Sequence, residues 1–440
     1  MVAASVGLWA LLVAVAWRVA LPDRLEWKLS AAPIGGMFDR DLSSGVVRAA
    51  LVGAVLVAVL PRFAARAPWA PMLLGAVVLT VVWGTFLAGS RGPDRIEQGL
   101  DHPHDYPAAI PMVDAVGVRT FVATFDEEAT LSTYPVHVQG HPVGATLAFV
   151  GLDRIGLGGP LARAVVVDVV GATAVAAVAI AVREVAGERA ARRAVPFLVL
   201  APSAVWMFTS GDALFTAVAA WSVAALVLAT RADASPRAAG ALALLGGVLA
   251  GVGAMLSYGL VLVGPVAVAV VVRRRAWRLV PWAVAGGASV LGAAALAGFW
   301  WFSGLQATHA RYLHGVSSVR SGTYFALLGN PAAFALACGP AVAIAIALVR
   351  DRRLWLLGGA GLAAVALADL SGLSKAEVER IWLPFVPWAL VLAAGLPQID
   401  AGGAGANGRV AARWSWVGHL ALALGVFTAV AIEATVLTPW

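Results

Sequence analysis

Apolar runs long enough to cross a bilayer recur from one end of this 440-residue chain to the other. That feature leaves few folds open. A backbone in hydrocarbon must satisfy its own hydrogen bonds, which only helices and closed barrels achieve. The runs lack the short apolar–polar alternation of barrel strands. The expected fold class is therefore all-α, a polytopic transmembrane helical bundle. Composition agrees: 61% of residues are hydrophobic, 12% are charged and mean hydropathy is +0.86, a balance foreign to soluble domains. The first run, Val2–Leu21, has no basic start and no small-x-small cleavage site, so it reads as an uncleaved first span.

A net charge of +7 would suit a nucleic-acid partner, but the positions of the charges point elsewhere. Arg62/Arg66, Arg183/Arg189/Arg192/Arg193, Arg231/Arg237, Arg273/Arg274/Arg275/Arg278 and Arg350/Arg352/Arg353 all lie in short connections between apolar runs. Such clusters fix topology and touch the headgroups of membrane lipid. The partner they imply is the membrane, with no nucleic acid. The single cysteine, Cys338, lies inside an apolar run, which excludes a disulfide framework.

Placing the arginine clusters inside gives thirteen candidate spans: 3–20, 46–61, 70–89, 161–182, 195–209, 213–230, 238–256, 259–272, 279–302, 323–349, 354–370, 380–397 and 415–437. Segments 21–45, 91–140, 303–322 and 371–379 then fall outside, together with the C-terminus. The chain divides into N-terminal spans (1–69), a core with a large extracytoplasmic loop (70–397, loop 91–140), and a Gly-rich linker with the last span (398–440). Residues 141–158 are too short and too charged for a full span, and are expected to form a partly inserted or tilted helix under the loop. Within the loop, Val113, Val116, Phe121 and Phe125 have the spacing of a short interfacial helix. Asp400–Asn407 reads as a flexible linker.

Polar side chains concentrate in four places. Loop 91–140 carries Asp101, His102, His104, Asp105, Tyr106, Asp126, Glu127 and Glu128, and closes on Tyr134, His137, Gln139 and His141. Asp212 stands at a tight connection flanked by long apolar sequence, where an acid is costly unless it meets water or a partner. It is equally a helix N-cap with Ser210. The third place, Ser371–Phe385, holds one of only two lysines, Lys375, four residues before Glu379 and followed by Arg380. That spacing puts Lys375 and Glu379 on one helix face, and the cations suit a phosphate. Segment 303–322 adds Arg311 and further basic and aromatic residues. The histidines match no strong zinc-ligand spacing. The loop carboxylates are better candidates for a weakly held Mg²⁺ or Mn²⁺, and no cofactor is fixed by the motifs.

This combination resembles the GT-C superfamily of membrane glycosyltransferases over residues 70–230 and 370–397. His141-Pro142-Val143-Gly144 is similar to the His-Pro-Pro turn that follows the first large loop in protein O-mannosyltransferases, and to the Lys-Pro-Pro turn of aminoarabinose transferases. Asp101 through Tyr106 looks like the acidic-then-Tyr element of that loop. Pro202 with Asp212-Ala213-Leu214-Phe215, and Glu379 through Pro384, are similar to further segments of such enzymes. Two departures stand out: no clean Asp-Glu pair precedes the tyrosine, and spans 3–61 precede the usual first span.

The resemblance implies a plasma-membrane glycosyltransferase with an extracytoplasmic active site. A sugar would pass from a polyprenyl-phosphate donor to a cell-envelope glycan, lipid or protein. Asp105 or Asp101 would be the catalytic base, with Asp105 favoured because Tyr106 and Pro107 fix its direction. Lys375, Arg380 and Arg311 would hold the donor phosphate. Tyr106, His137, His141, Asp212 and Glu379 would line the substrate site. A transporter or flippase of lipid-linked saccharide is the rival class, and a non-catalytic membrane assembly protein a third. Transporters gather paired charges near mid-membrane on broken helices. Here the charges gather at the outer boundary, with Asp168 and Asp369 the main intramembrane exceptions.

Overall fold

The computed structural model describes residues 1–208, 210–315, 318–397 and 416–438. The expected linker Asp400–Asn407 lies outside the described residues. Among them, nine helices are long and apolar enough to cross a membrane: Val2–Ala20, Ser44–Arg66, Trp69–Arg91, Pro160–Ala186, Gly211–Ala229, Pro236–Leu256, Trp277–Leu296, Arg352–Leu370 and Trp416–Thr435. Each coincides with one of the thirteen expected spans. At 1.5 Å per residue the 27-residue helix Pro160–Ala186 is about 40 Å long, enough to cross the hydrocarbon and its headgroup layers.

The other four expected spans are interrupted, and imino acids or glycines mark the breaks. In 195–209 the helix Glu188–Val199 ends before Pro202 and a new turn starts at Ala204. A 3-10 segment, Tyr258–Val263, gives way to Gly264–Arg274 at Gly264-Pro265. Segment 323–349 is bent by 93° between Gly322–Cys338 and Pro340–Leu348. Gly339 takes φ +67 at that bend, and Pro340 opens the next helix with its fixed φ. The stretch after Arg380 is a series of short turns around Pro384 and Pro387, ending in the 3-10 segment Val391–Gly395. Proline removes an intrahelical donor and clashes with the preceding turn, so an unbroken apolar run need not be an unbroken helix.

Close packing follows from the small side chains. Helices Pro236–Leu256 and Val280–Leu296 approach so tightly that a Cβ on Gly247 would strike the backbone of Ala283, and one on Gly286 the backbone of Leu244. The outward faces stay apolar, with Leu51, Leu74, Leu296 and Phe427 exposed as lipid-facing side chains would be.

Residues 141–158 form a ten-residue helix, Val143–Leu152, followed by a π-turn over Asp153–Leu157. It is short, as expected, and its Gly144 lies against the backbone of Met255 at the end of Pro236–Leu256. The expected single interfacial helix over Val113–Phe125 is two helices, Ile110–Val116 and Val118–Thr124, hinged at Gly117 with φ +81. Val113, Phe121 and Phe125 point inward and Val116 outward. At the chain ends, Met37–Phe38 pairs antiparallel with Val436–Leu437, tying the first connection to the last helix.

Candidate functional site

Asp105 caps the 3-10 turn Tyr106–Ala109, accepting the Tyr106 backbone N–H on Oδ1 at 2.7 Å. Pro107 in the first turn presets that geometry. The carboxylate is only 4% exposed, and its Oδ2 lies 3.5 Å from His137 Nδ1. Burial opposes its ionisation. The His137 hydrogen bond and charge, the Tyr106 N–H and the nearby Arg380 guanidinium outweigh that burial and hold Asp105 below the usual carboxylate value. Asp105 is thus an anion at neutral pH, inside the protein, beside its proton-capable neighbour.

The side chain of Tyr106 is the hub. Its ring stacks on Phe149 with centroids 5.5 Å apart and 6° between planes. It meets the edge of His141 at 5.3 Å and that of Phe215 at 5.9 Å. It is 1% exposed, and its hydroxyl has no hydrogen-bond partner among the described residues. Burial, with Asp212 and Asp105 nearby, pushes its pKa well above the ordinary phenol value, so it remains a proton donor. Gly211 allows this approach, since a Cβ there would lie 2.9 Å from the ring.

His141 donates Nδ1–H to the His137 carbonyl at 2.8 Å. Desolvation lowers its imidazole to about 4, against the opposing pull of Asp212, so it is neutral at pH 7 and offers Nε2 as an acceptor. Asp212 opens the helix Gly211–Ala229, with Ser210 Oγ donating to its Oδ2 at 3.0 Å. The N-cap is Ser210, whose Oγ accepts the Asp212 N–H at 3.2 Å, and Asp212 stands in the first turn. Arg380 Nη1 donates to the same Oδ2 at 3.1 Å, across a pair whose side chains are each 6% exposed. Arg380 also lies 3.9 Å from Glu377, which pairs with Arg320 at 3.3 Å.

Asp105, Tyr106, His137, His141, Asp212 and Arg380 therefore share one cluster, from three distant parts of the chain. Asp101 stands apart, exposed and paired with Arg163 at 2.9 Å. The segment bearing Lys375 is not the helix its spacing suggested. Ala376 and Glu377 take φ of 72 and 60, and the helix starts only at Val378. Lys375 lies before that left-handed turn, with Nζ 6.0 Å from the Tyr312 ring centroid. Glu379 is fully buried and accepts the Gly35 N–H on Oε1 at 2.6 Å, so the expected Lys375–Glu379 face does not form.

Arg311 is half-buried on the helix Trp301–His314, and among the described residues it makes no ion pair. That helix is tied to the site by Thr308, which donates to the Gln139 carbonyl at 3.2 Å, and to segment 371–380 by Tyr312, whose hydroxyl donates to Gly372 at 3.4 Å. Among the described residues, no three His, Cys, Asp or Glu side chains gather as metal ligands. Asp105 and Asp212 each face a basic side chain of the protein itself, His137 and Arg380 respectively.

Sequence reasoning passed over the first connection. Trp27 packs on Tyr324 and Phe325 with centroids 4.9 and 5.5 Å away, and its carbonyl receives Arg320 Nε at 3.1 Å. Arg320 Nη1 also donates to the Lys375 carbonyl at 2.8 Å. Residues 27–35 thus brace the segment that carries Arg380. Residues 27–35 match no motif, and nothing in them gave a signal for this role.

Fold and site together define a polytopic α-helical membrane protein with a buried acid–histidine–arginine cluster at one end of its bundle. No protein-family model matches the chain, and no curated protein does. Among solved structures, ArnT from Cupriavidus metallidurans bound to undecaprenyl phosphate is similar over 83% of this chain and 77% of that one, with 16% identity and a TM-score of 0.49. The same protein in the apo state is similar over 67% of each chain, with 18% identity and a TM-score of 0.43. Likeness at this level leaves the functional conclusion to the residues themselves.

Proposed function

We propose that this protein is a membrane glycosyltransferase that moves a sugar from a polyprenyl-phosphate donor to an acceptor hydroxyl at the outer face. One observation carries the proposal: a buried, ionised Asp105 and a buried Arg380 lie in the same cluster, around an unpartnered tyrosine hydroxyl. The acceptor oxygen attacks the anomeric carbon as the bond from that carbon to the phosphate oxygen breaks. Asp105 takes the hydroxyl proton, with His137 fixing its carboxylate. The departing phosphate keeps the bonding electron pair, and its charge develops near Arg380, with Arg311 and Lys375 as further cations. Tyr106 Oη and His141 Nε2 are left to orient the sugar or acceptor.

The 93° bend at Gly339 and the buried Asp212–Arg380 pair are also features a transporter would use. Reconstituted proteoliposomes distinguish the two. Radiolabel from a polyprenyl-phosphate sugar should appear in an acceptor fraction, and Asp105→Asn should slow that transfer by at least about 100-fold. Movement of the intact labelled lipid between leaflets without any transfer would establish the transporter instead.

A further inference from the structure

At the end of the bundle away from Asp105 lies a cavity of about 560 Å³ between the ends of three membrane-spanning helices. Asp212 and Leu228 occupy opposite ends of the helix Gly211–Ala229, roughly 24 Å apart along its axis. The cavity is therefore separate from the proposed active site. Its walls are apolar, built by Trp69, Ile180 and Leu228, and its polar lining is Arg183, Arg231, Glu184 and Glu188.

We propose that this cavity binds the headgroup of an anionic phospholipid, with Arg183 and Arg231 holding the phosphodiester and Trp69, Ile180 and Leu228 receiving the start of the acyl chains. Charge selects the ligand. The carboxylates are already engaged: Glu188 receives Arg192 on Oε1 at 2.7 Å and Arg183 on Oε2 at 2.7 Å, and Glu184 receives Arg274 at 2.9 Å. A cationic group would have to displace an arginine to reach them. The two arginines and two glutamates of the lining belong to a wider ion-pair network with Arg192, Arg274 and Asp233, in which four guanidinium groups meet three carboxylates, an excess of one positive charge. A headgroup with one negative charge matches that excess.

The arginines are also placed to donate. Arg183 and Arg231 keep 45% and 44% of their side-chain surface exposed, and each has more N–H groups than its acids occupy. The guanidinium of Arg183 is held 4.3 Å over the Trp69 ring, which fixes its plane while leaving its edge to form hydrogen bonds. Tryptophan at such a level belongs to the membrane–water boundary, and basic pockets between helices there suit lipid phosphates. The apolar walls favour a lipid over a free phosphate.

Native mass spectrometry of the full-length protein in detergent tests this, with phosphatidylglycerol, phosphatidylethanolamine and phosphatidylcholine of matched chains at equal concentration. Phosphatidylglycerol should be retained several-fold over the other two. Leu228→Trp fills the cavity without touching a charge and should reduce that retention to the phosphatidylcholine level. Arg231→Gln, at a half-exposed position, should reduce it at least about threefold with the thermal midpoint little changed. Soluble glycerophosphoglycerol at the same concentration should not compete. Equal retention of the three lipids, wild-type retention by either variant, or full competition by the soluble headgroup would each overturn the proposal.

Discussion

Arg380 and Asp212, 168 positions apart in sequence, meet through a 3.1 Å hydrogen bond with both side chains 6% exposed. The pair ties the segment after Ser371 to the start of the helix Gly211–Ala229. A buried charge left without its partner is far more costly than the pair is stabilising. Arg380→Gln and Asp212→Asn should therefore each lower stability by about 3–5 kcal/mol. The double variant should lose less than the two losses added together, because neither remaining group is then charged and alone. Thermal unfolding of all four proteins in detergent closes the cycle. Strict additivity would mean that the two side chains do not meet.

The carboxylate assignment can be separated from the resemblance that suggested it. Asp105 is buried beside His137 and Arg380, whereas Asp101 is exposed and engaged by Arg163. Asp105→Asn keeps the shape but removes proton acceptance, so turnover should fall by roughly 10²–10⁴ with donor binding retained. Asp101→Asn should cost much less. Since Asp105 is held below the ordinary carboxylate value, wild-type turnover should show no acid limb from this group near neutral pH. Equal losses from both asparagine variants would remove Asp105 from the role of base.

Much of this arrangement was legible because polar side chains are so scarce in the chain. Asp212 stood out against apolar surroundings, whereas Asp105, Tyr106, His137, His141 and Arg380 belong to the few polar stretches of the chain, and the structure gathers all six. The long helices were legible for the matching reason, that continuous apolar sequence is their only economical form in lipid. The breaks were written in the sequence too, at Gly264-Pro265, Gly339-Pro340, Pro384 and Pro387, but hydropathy alone is blind to them. Lys375 was placed on a helix because nothing marks Ala376 and Glu377, both non-glycine, as left-handed. The Gly35–Glu379 bond spans 344 positions, and no local rule reaches that far.

Glu128 is exposed on the loop that the arginine clusters would place outside, and Cys338 is the sole, buried cysteine. Glu128→Cys in a Cys338→Ala background should react with a membrane-impermeant maleimide before lysis. Reaction only after lysis would invert the map and move the Asp105 cluster to the cytoplasmic face.

The carboxyl group of Glu379 makes the last prediction, about pH. Burial pushes it up to about 7, although the Gly35 N–H it accepts acts in the opposite sense. A raised carboxyl pKa means that the unfolded chain releases this proton before the folded one does. The stability contributed by the protonated form is present below the unfolded value near 4.5, and is lost as pH rises through the folded value. Glutamine keeps an oxygen to accept from Gly35 and has no proton to lose. Glu379→Gln should therefore match wild type at pH 5 and exceed it at pH 8, by up to about 3 kcal/mol if the whole shift is realised. The measurement is the thermal midpoint of both proteins across that range, in one detergent and at constant salt. A variant less stable than wild type at pH 8 would show that the charged carboxylate, rather than the acid, is what the loop at Gly35 requires.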